Sequence, residues 1–548
     1  MADSRQRIII KVFRKYGHSL GPESLEYVEE ILDQTGLEPN EVENAVDWIA
    51  KEYNRQDDAQ MKVSRDILHR VYETLSNPPD QEDNPSVLPS LEGHLHIIDA
   101  FEMPLWNWSQ EKSAFERAAA PLTMSGSADS RVHAMRNRLY IIKQTVLRND
   151  HFSPSTLPSK DRENLLTLRS TKQLLGRAGH RFLLFGMLSH SKEGKLCLED
   201  EDGSVELDFS QLDQPSEGLF TEGCFALVEG EYTEEATFVV IAIGHPPCEN
   251  RQTARSIFGH VDFLGKGATT LLEDNQMEMQ VRTELSGSTF FFLSDVWLDN
   301  PRTFDGLRRM FSNCVEEGFI PQIIVMCGNF TSHGIAQGSG TDIRKYQENF
   351  DALADLIASF TMITRTTHFV FVPGPLDLTI NAALPRRPLL SSLVSRLKTK
   401  IPKAHFATNP CRIKFYDQEI VIFREDLMSR MLRNLVGVKP DVQNDDLKRY
   451  LVQSLLDQSH LIPLTYSVQP ILPDYDHTLR LYPLPTSVVL ADRYDRYQMT
   501  YEGCHVFNPG SFVANSFGFA SYSPARRESE ECVVSFGNDD DSETFVDG

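Results

Sequence analysis

Apolar residues recur at helical spacing through the first 75 positions. "RIIIKVFRKYG" closes on a glycine, and "GPESLEYVEEILDQTG" carries Pro22 just inside its start and Gly36 at its end. "EPNEVENAVDWIAKEYNRQ" and "KVSRDILHRVYETLS" repeat the period, so a small helical bundle is predicted over 1–76. "NPPDQEDNPSVLPSLE" is Pro-rich and acidic, and the mixed stretch after it runs to the polar "TMSGSADS". A flexible linker is expected over 77–130. "RVHAMRNRLYIIKQTVLRND" (131–150) is amphipathic and has few sequence neighbours to pack on. This helix, with its connector to 175, is expected to dock on the C-terminal body.

From 181 the period becomes that of strands. "RFLLFGMLSHSKEGKLCLEDEDGSVELDFS" holds three short strands, with turns at Glu193-Gly194 and Asp202-Gly203. "GLFTEGCFALVEGEYTEEATFVVIAIGHPP" adds two more, which predicts an OB-type barrel over 176–286. From 288, apolar strands such as "PQIIVMCGN", "THFVFVPG" and "QEIVIFRE" alternate with helices such as "IRKYQENFDALADLIASF". That is an α/β domain with buried strands, over 287–535, followed by an acidic tail over 536–548. The expected fold class is multidomain α+β: a helical bundle, an OB-type barrel and an α/β domain.

A chain of 548 residues calls for roughly two to four cores. The net charge of −24 argues against a broad nucleic-acid-binding surface. The barrel's own "LEDEDGSVELD" argues the same way, because a single-strand-binding OB face needs aromatic and basic residues. A protein–protein role for the barrel is expected. No run reaches the length of a membrane span and the first residues do not form a signal peptide. The eight cysteines form no C-x-x-C pair, which fits a reducing compartment.

Ligand clefts in α/β folds lie at the carboxyl ends of strands. The residues predicted there are Ser294-Asp295-Val296-Trp297, Cys327-Gly328-Asn329, Val372 to Asp377, Arg424-Glu425-Asp426, Asp492-Arg493-Tyr494 and Asn508-Pro509-Gly510-Ser511. Their order and placement resemble the calcineurin-like metallophosphoesterases. Against that family's motifs, Asp295 keeps the first Asp and Trp297 stands for its His. Asn329 stands for the metal-bridging Asp, and Pro375-Leu376 replace Asn-His ahead of Asp377. The lone His is missing near Arg424, and the paired histidines are missing around Asp492 and Tyr494.

Two-metal phosphoester chemistry needs two cations about 3.5–4 Å apart, held by a bridging carboxylate and imidazoles. Neutral Asn329 supplies no bridging charge, Pro375 and Leu376 offer no side-chain ligand atom, and Trp297 has only an N–H donor. The expectation is a degenerate cleft with no catalytic, cofactor or metal residues. The alternative is a hard-cation site of Asp295, Asn329, Asp492 and Asp495, serving an active phosphoesterase or nuclease. His505 is expected to be a hydrogen-bonded core or turn residue, His333 a solvated one, and Cys327 and Cys504 core thiols.

A helical N-terminal domain, an OB-fold and a phosphoesterase domain stripped of ligands resemble the B-subunits of eukaryotic replicative DNA polymerases. "FLSDVWLD", "CGNF", "FVPGPLD", "TNPCRI", "FREDL" and "NPGSF" are most similar to the epsilon branch of that family. The resemblance implies a nuclear, non-catalytic accessory subunit without cofactor or membrane contact. It implies that the OB and phosphoesterase-like domains bind the cysteine-rich C-terminal region of the polymerase epsilon catalytic subunit. It also implies that residues 1–76, similar to the helical lid of AAA+ ATPases, reach the replicative helicase through the GINS complex. Small histone-fold subunits would share the assembly, and DNA contact would be indirect or weak.

Overall fold

The computed structural model describes residues 2–35, 42–54, 62–76, 91–118, 121–152, 167–212, 217–335, 339–437, 439–440 and 446–536. The chain divides into two compact units, Met1–Ser90 and Leu91–Gly548.

The first unit is built from helices Ala2–Lys15, Pro22–Thr35, Val42–Asn54 and Arg65–Ser76. Each buries one stripe: Ile9, Val12 and Phe13; Val28, Ile31 and Leu32; Val46, Ile49, Ala50 and Tyr53; Ile67, Leu68 and Val71. Gly17, at φ +80°, follows the end of the first helix. The second helix's expected terminator, Gly36, lies outside the described residues.

The expected linker is corrected in the second unit. Residues 77–90 lie outside the described residues, but those from 91 belong to the body. Strand β1 (Leu95–Asp99) joins a sheet edge more than 300 residues away in sequence. Strands β2 (Trp106–Ser109) and β3 (Ala114–Arg117) form a hairpin. Its Trp106, Trp108 and Phe115 pack with Phe258, Phe263 and Tyr482. The aromatic payload of this segment outweighs its polar neighbours.

The helix expected at 131–150 runs from Ala128 to Arg148, its start set by a Ser127–Ser130 capping box. Leu139, Ile142 and Val146 pack on Leu183, Phe185, Phe225 and Leu227 of the barrel. Beside that stripe Arg138, buried, makes an ion pair with Asp476 of the C-terminal body.

The barrel follows β4 (Leu168–Arg169), β5 (His180–His190), β6 (Leu196–Glu199), β7 (Ser204–Asp208), β8 (Phe225–Tyr232) and β9 (Thr237–Gly244). The sheet order is β4-β5-β6-β7-β9-β8, and β5–β8 pairing closes it. Gly194 turns the first hairpin at φ +80°. The barrel ends at Gly244, not 286: helix Leu271–Glu284 turns Val281 and Met277 into the core beneath Phe290 and Phe415. The barrel is fixed to the body where Gln458 both accepts from Phe225 N and donates to Phe225 O.

The α/β domain contains β10 (Phe290–Leu293), β11 (Ile323–Cys327), β12 (His368–Val372), β13 (Ala404–Phe406), β14 (Cys411–Phe415), β15 (Gln418–Arg424), β16 (Ser487–Ala491), β17 (Tyr497–Tyr501), β18 (Cys504–Asn508), β19 (Gly518–Ser523) and β20 (Glu528–Val533). They form two mixed sheets, β13-β12-β11-β10-β19-β20 and β1-β14-β15-β16-β18-β17. Phe290, Phe292, Val325 and Val370 of one sheet meet Ile413, Ile422, Val489 and Phe507 of the other. Phe291, Ile324 and Met326 face helices Pro301–Glu316 and Gly340–Ser359 on the outside. Val421, Phe423 and Leu490 face helices Leu427–Arg433 and Leu447–Asp457. Burial on both faces is why these strands read as unbroken apolar runs. The architecture is a two-sheet α/β sandwich flanked by helices, and β10, β11, β12, β15 and β16 direct their carboxyl ends to one cleft.

Candidate functional site

The cleft is assembled by strand ends pressed together. A Cβ on Gly328 would overlap Asp377 Oδ2 and Gly374 N, and one on Gly374 would lie 2.5 Å from Asn329 Oδ1. Only glycine fits either position. Asp295 leaves β10 at φ +52° and is fully buried.

Arg424, at the end of β15, occupies the middle of this cleft with no exposed surface. Its Nη2 donates to Asp295 Oδ1 at 2.8 Å, its Nη1 to Asp426 Oδ1 at 2.8 Å and its Nε to Gly328 O at 2.5 Å. Burial alone would lower the guanidinium's pKa; the Asp295 and Asp426 carboxylates outweigh it and raise it. Asn329 adds its backbone and side-chain N–H groups to Asp295 Oδ1, at 3.2 and 3.3 Å. Its Oδ1 accepts from Leu376 N at 2.8 Å. The side chain that stands for the bridging Asp therefore ties two loops together by hydrogen bonds of both polarities.

Asp377 is equally committed. It accepts from Phe330 N, Gly374 N and Tyr346 OH at 2.7, 2.7 and 3.0 Å. Burial still pushes its carboxyl up to about 6. Asp492 accepts from Met428 N at 2.8 Å and Tyr494 N at 3.1 Å, and burial raises its pKa. Asn508, in the surviving Asn-Pro-Gly-Ser, accepts from Asp492 N and Gly510 N and donates to Tyr494 O. Trp297 lies at the cleft edge with the Arg493 guanidinium 5.8 Å from its ring centre. Arg493 Nε also comes within 3.7 Å of Asp295 Oδ2.

Asp295, Asn329 and Arg424 are thus hydrogen-bonded to one another or to shared backbone at these strand ends, and Asp495 is exposed. The donor set does not fit the divalent cations that the resemblance to metallophosphoesterases would imply. Asp295 is spent on Arg424, Asn329 is neutral, and among the described residues no three His, Cys, Asp or Glu side chains gather to hold a metal. A guanidinium matches the carboxylate's charge but is no Lewis acid and cannot activate water. Asp495 thus drops out of the alternative hard-cation set.

The role of Arg424 escaped the sequence reading, which marked that position only for its missing His. A signal was there: an arginine closing the apolar run "QEIVIF" must find a counter-charge if it stays buried. His505 is a buried strand residue, with Nε2 2.8 Å from Ser529 Oγ. His333 is exposed beside Asp299. Cys327 and Cys504 are buried, and burial raises both thiols, Cys327 to about 12.

Residues 290–499 match the family model for the alpha/epsilon B-subunit of DNA polymerases. Residues 128–247 match the OB-fold domain of DNA polymerase epsilon subunit 2-like proteins, so the helix from Ala128 is counted with the barrel. The chain is 33% identical over 545 residues to DNA polymerase epsilon subunit 2 of Homo sapiens, covering 97% of this chain and 99% of that one. It is 32% identical over 544 residues to the Bos taurus protein of that name, with coverage of 97% and 99%. It is 31% identical over 533 residues to the DNA polymerase epsilon B-subunit of Arabidopsis thaliana, with coverage of 96% and 98%. A match that runs through the helical unit, the barrel and the Arg424-filled cleft alike leaves one assignment: the chain belongs to the family of DNA polymerase epsilon B-subunits.

Proposed function

We propose that the chain is a non-catalytic scaffold of the polymerase epsilon assembly, working in the nucleus. Its second unit binds the C-terminal region of the catalytic subunit, and residues 1–76 hold the replicative helicase through GINS. Small histone-fold subunits join the same complex, and DNA contact is left to the partners. The observation that carries the non-catalytic reading is Arg424, whose guanidinium is bonded to Asp295 where the fold's metal ligands would converge. The division into two compact units supports a molecule with two binding ends. Two modest interfaces on one chain gain from effective concentration. The net charge of −24 supports indirect DNA contact.

The test is a calorimetric titration of Mn²⁺ into the purified protein, with turnover of a generic phosphodiester followed in the same sample. Neither tight binding nor turnover is expected. Both together, and both lost in Asp295→Ala, would overturn the reading. The two-ended role is tested by removing residues 1–76: the remainder should co-purify with the catalytic subunit and lose GINS. Loss of the catalytic subunit instead would assign the helical unit to the polymerase interface.

A further inference from the structure

A cavity of about 60 Å³ lies in the second unit between the β14–β15 hairpin, the loop around Asp262–Thr269 and the segment His477–Pro483, and it shares no residue with the Arg424 cleft. At about 15 Å³ per water it admits roughly four waters. Its wall is rich in charge of both signs, so the question is which charges are free. Glu419 is taken by Arg412 and Arg251. Asp274 is taken by Arg255, and Asp262 accepts from the backbone N–H groups of residues 264–267. Asp417 pairs with Arg527 and keeps one oxygen, Oδ1, without a donor among the described residues.

The cations are less well matched. Arg480 is only 9% exposed, yet among the described residues its guanidinium makes one hydrogen bond, from Nη1 to Trp106 O at 3.0 Å. Lys414 Nζ reaches Gly267 O at 3.3 Å and pairs with no described carboxylate. Arg412 Nε, buried in the same wall, has no acceptor among the described residues. Two cationic side chains thus line one small cavity with no described carboxylate in ion-pair contact, although Asp262, held only by backbone N–H groups, attracts Lys414 from a distance. Burial depresses both, Arg480 to about 10. Such groups are stabilised by an anion that brings several acceptor oxygens at once.

We propose that this cavity is a binding site for a phosphate-class oxyanion, held by Lys414 and Arg480. The volume fits one phosphoryl group and excludes a whole nucleotide. The source is either free phosphate or the phosphoryl end of a small ester reaching in from the mouth.

The probe is inorganic phosphate, titrated calorimetrically into the full-length protein at constant ionic strength, with phenyl phosphate as a parallel arm. Saturable binding with one site per chain is expected. It should weaken about tenfold or more in Lys414→Gln and in Arg480→Gln and survive in Lys414→Arg. Binding of phosphate alone would identify the free ion as the source, and binding of both would identify an ester as admissible. Phosphate should also raise the melting temperature of the unaltered protein above that in chloride of equal ionic strength, a readout that needs no variant. Absence of both saturable heat and melting shift, or binding indifferent to both Gln substitutions, would overturn the proposal.

Discussion

Replacing Arg424 by Met keeps much of the volume and removes the charge, leaving fully buried Asp295 only the exposed Arg493, whose Nε lies 3.7 Å from Oδ2. Asp295 Oδ1 retains only the two Asn329 N–H groups, and Oδ2 has no hydrogen bond even in the intact site. Breaking a buried pair from one side costs about 3–5 kcal/mol. Gly328 O also loses its donor, for about 1 kcal/mol more. At about 2.1 cal/mol/K per residue, the body Leu91–Gly548 unfolds with an entropy of about 1 kcal/mol/K. Arg424→Met should then melt about 4–6 °C lower by calorimetry, if the body melts as one. Adding Asp295→Asn removes the stranded charge and should restore most of the loss. Melting of Arg424→Met within about 1 °C of the parent, or a double variant no more stable than the single one, would refute an ion pair that holds the cleft.

Three further outcomes follow from the same geometry. Asp457 ends its helix buried, and burial pushes its carboxyl up to about 7, so the folded state holds an extra proton between about pH 4 and pH 7 and loses stability as pH rises through that window. Asp457→Asn should flatten this decline, by up to about 4 kcal/mol in urea unfolding at pH 7 relative to pH 4; an unchanged slope would discard the assignment. Arg138→Met should break the buried pair with Asp476 and expose helix Ala128–Arg148 to protease, while the intact protein resists cleavage there; equal resistance would mean that the barrel alone holds the helix. Gly328→Ala should cost more than about 3 kcal/mol or abolish soluble body, because the new Cβ meets Asp377 and the Gly374 backbone; a variant of parental melting temperature would mean that the strand ends can part.

What the sequence displayed depended on the reach of each interaction. The strands of the α/β domain were legible because both faces of each sheet are covered, and the barrel hairpins because Gly194 marks its own turn locally. The segment from 91 was misread because its stabilising partners are remote: Ile98 pairs with Arg412, and Phe115 stacks on Tyr482. No local window holds such a contact, and a Pro-rich neighbour biases the window toward a linker. Helix Leu271–Glu284 was assigned to the barrel for a related reason, since it buries Val281 in a core formed mainly by later strands.

The cleft adds a different lesson, in which charge carries the information that motifs lose. Taken singly, Asn329 and Arg424 look like missing ligands. Taken with Asp295, they balance. The fold keeps a buried aspartate at the end of β10, and a buried carboxylate without a cation is too costly to persist. A positive group must therefore reach Asp295. A guanidinium from β15 does so while also donating to the Gly328 carbonyl that the neighbouring loop presents. Neutral Asn329 then suits a site whose carboxylate is already met by a guanidinium. Arg424 thereby holds the strand ends together, and that makes it, not the absent histidines, the residue from which a structural role is most directly argued.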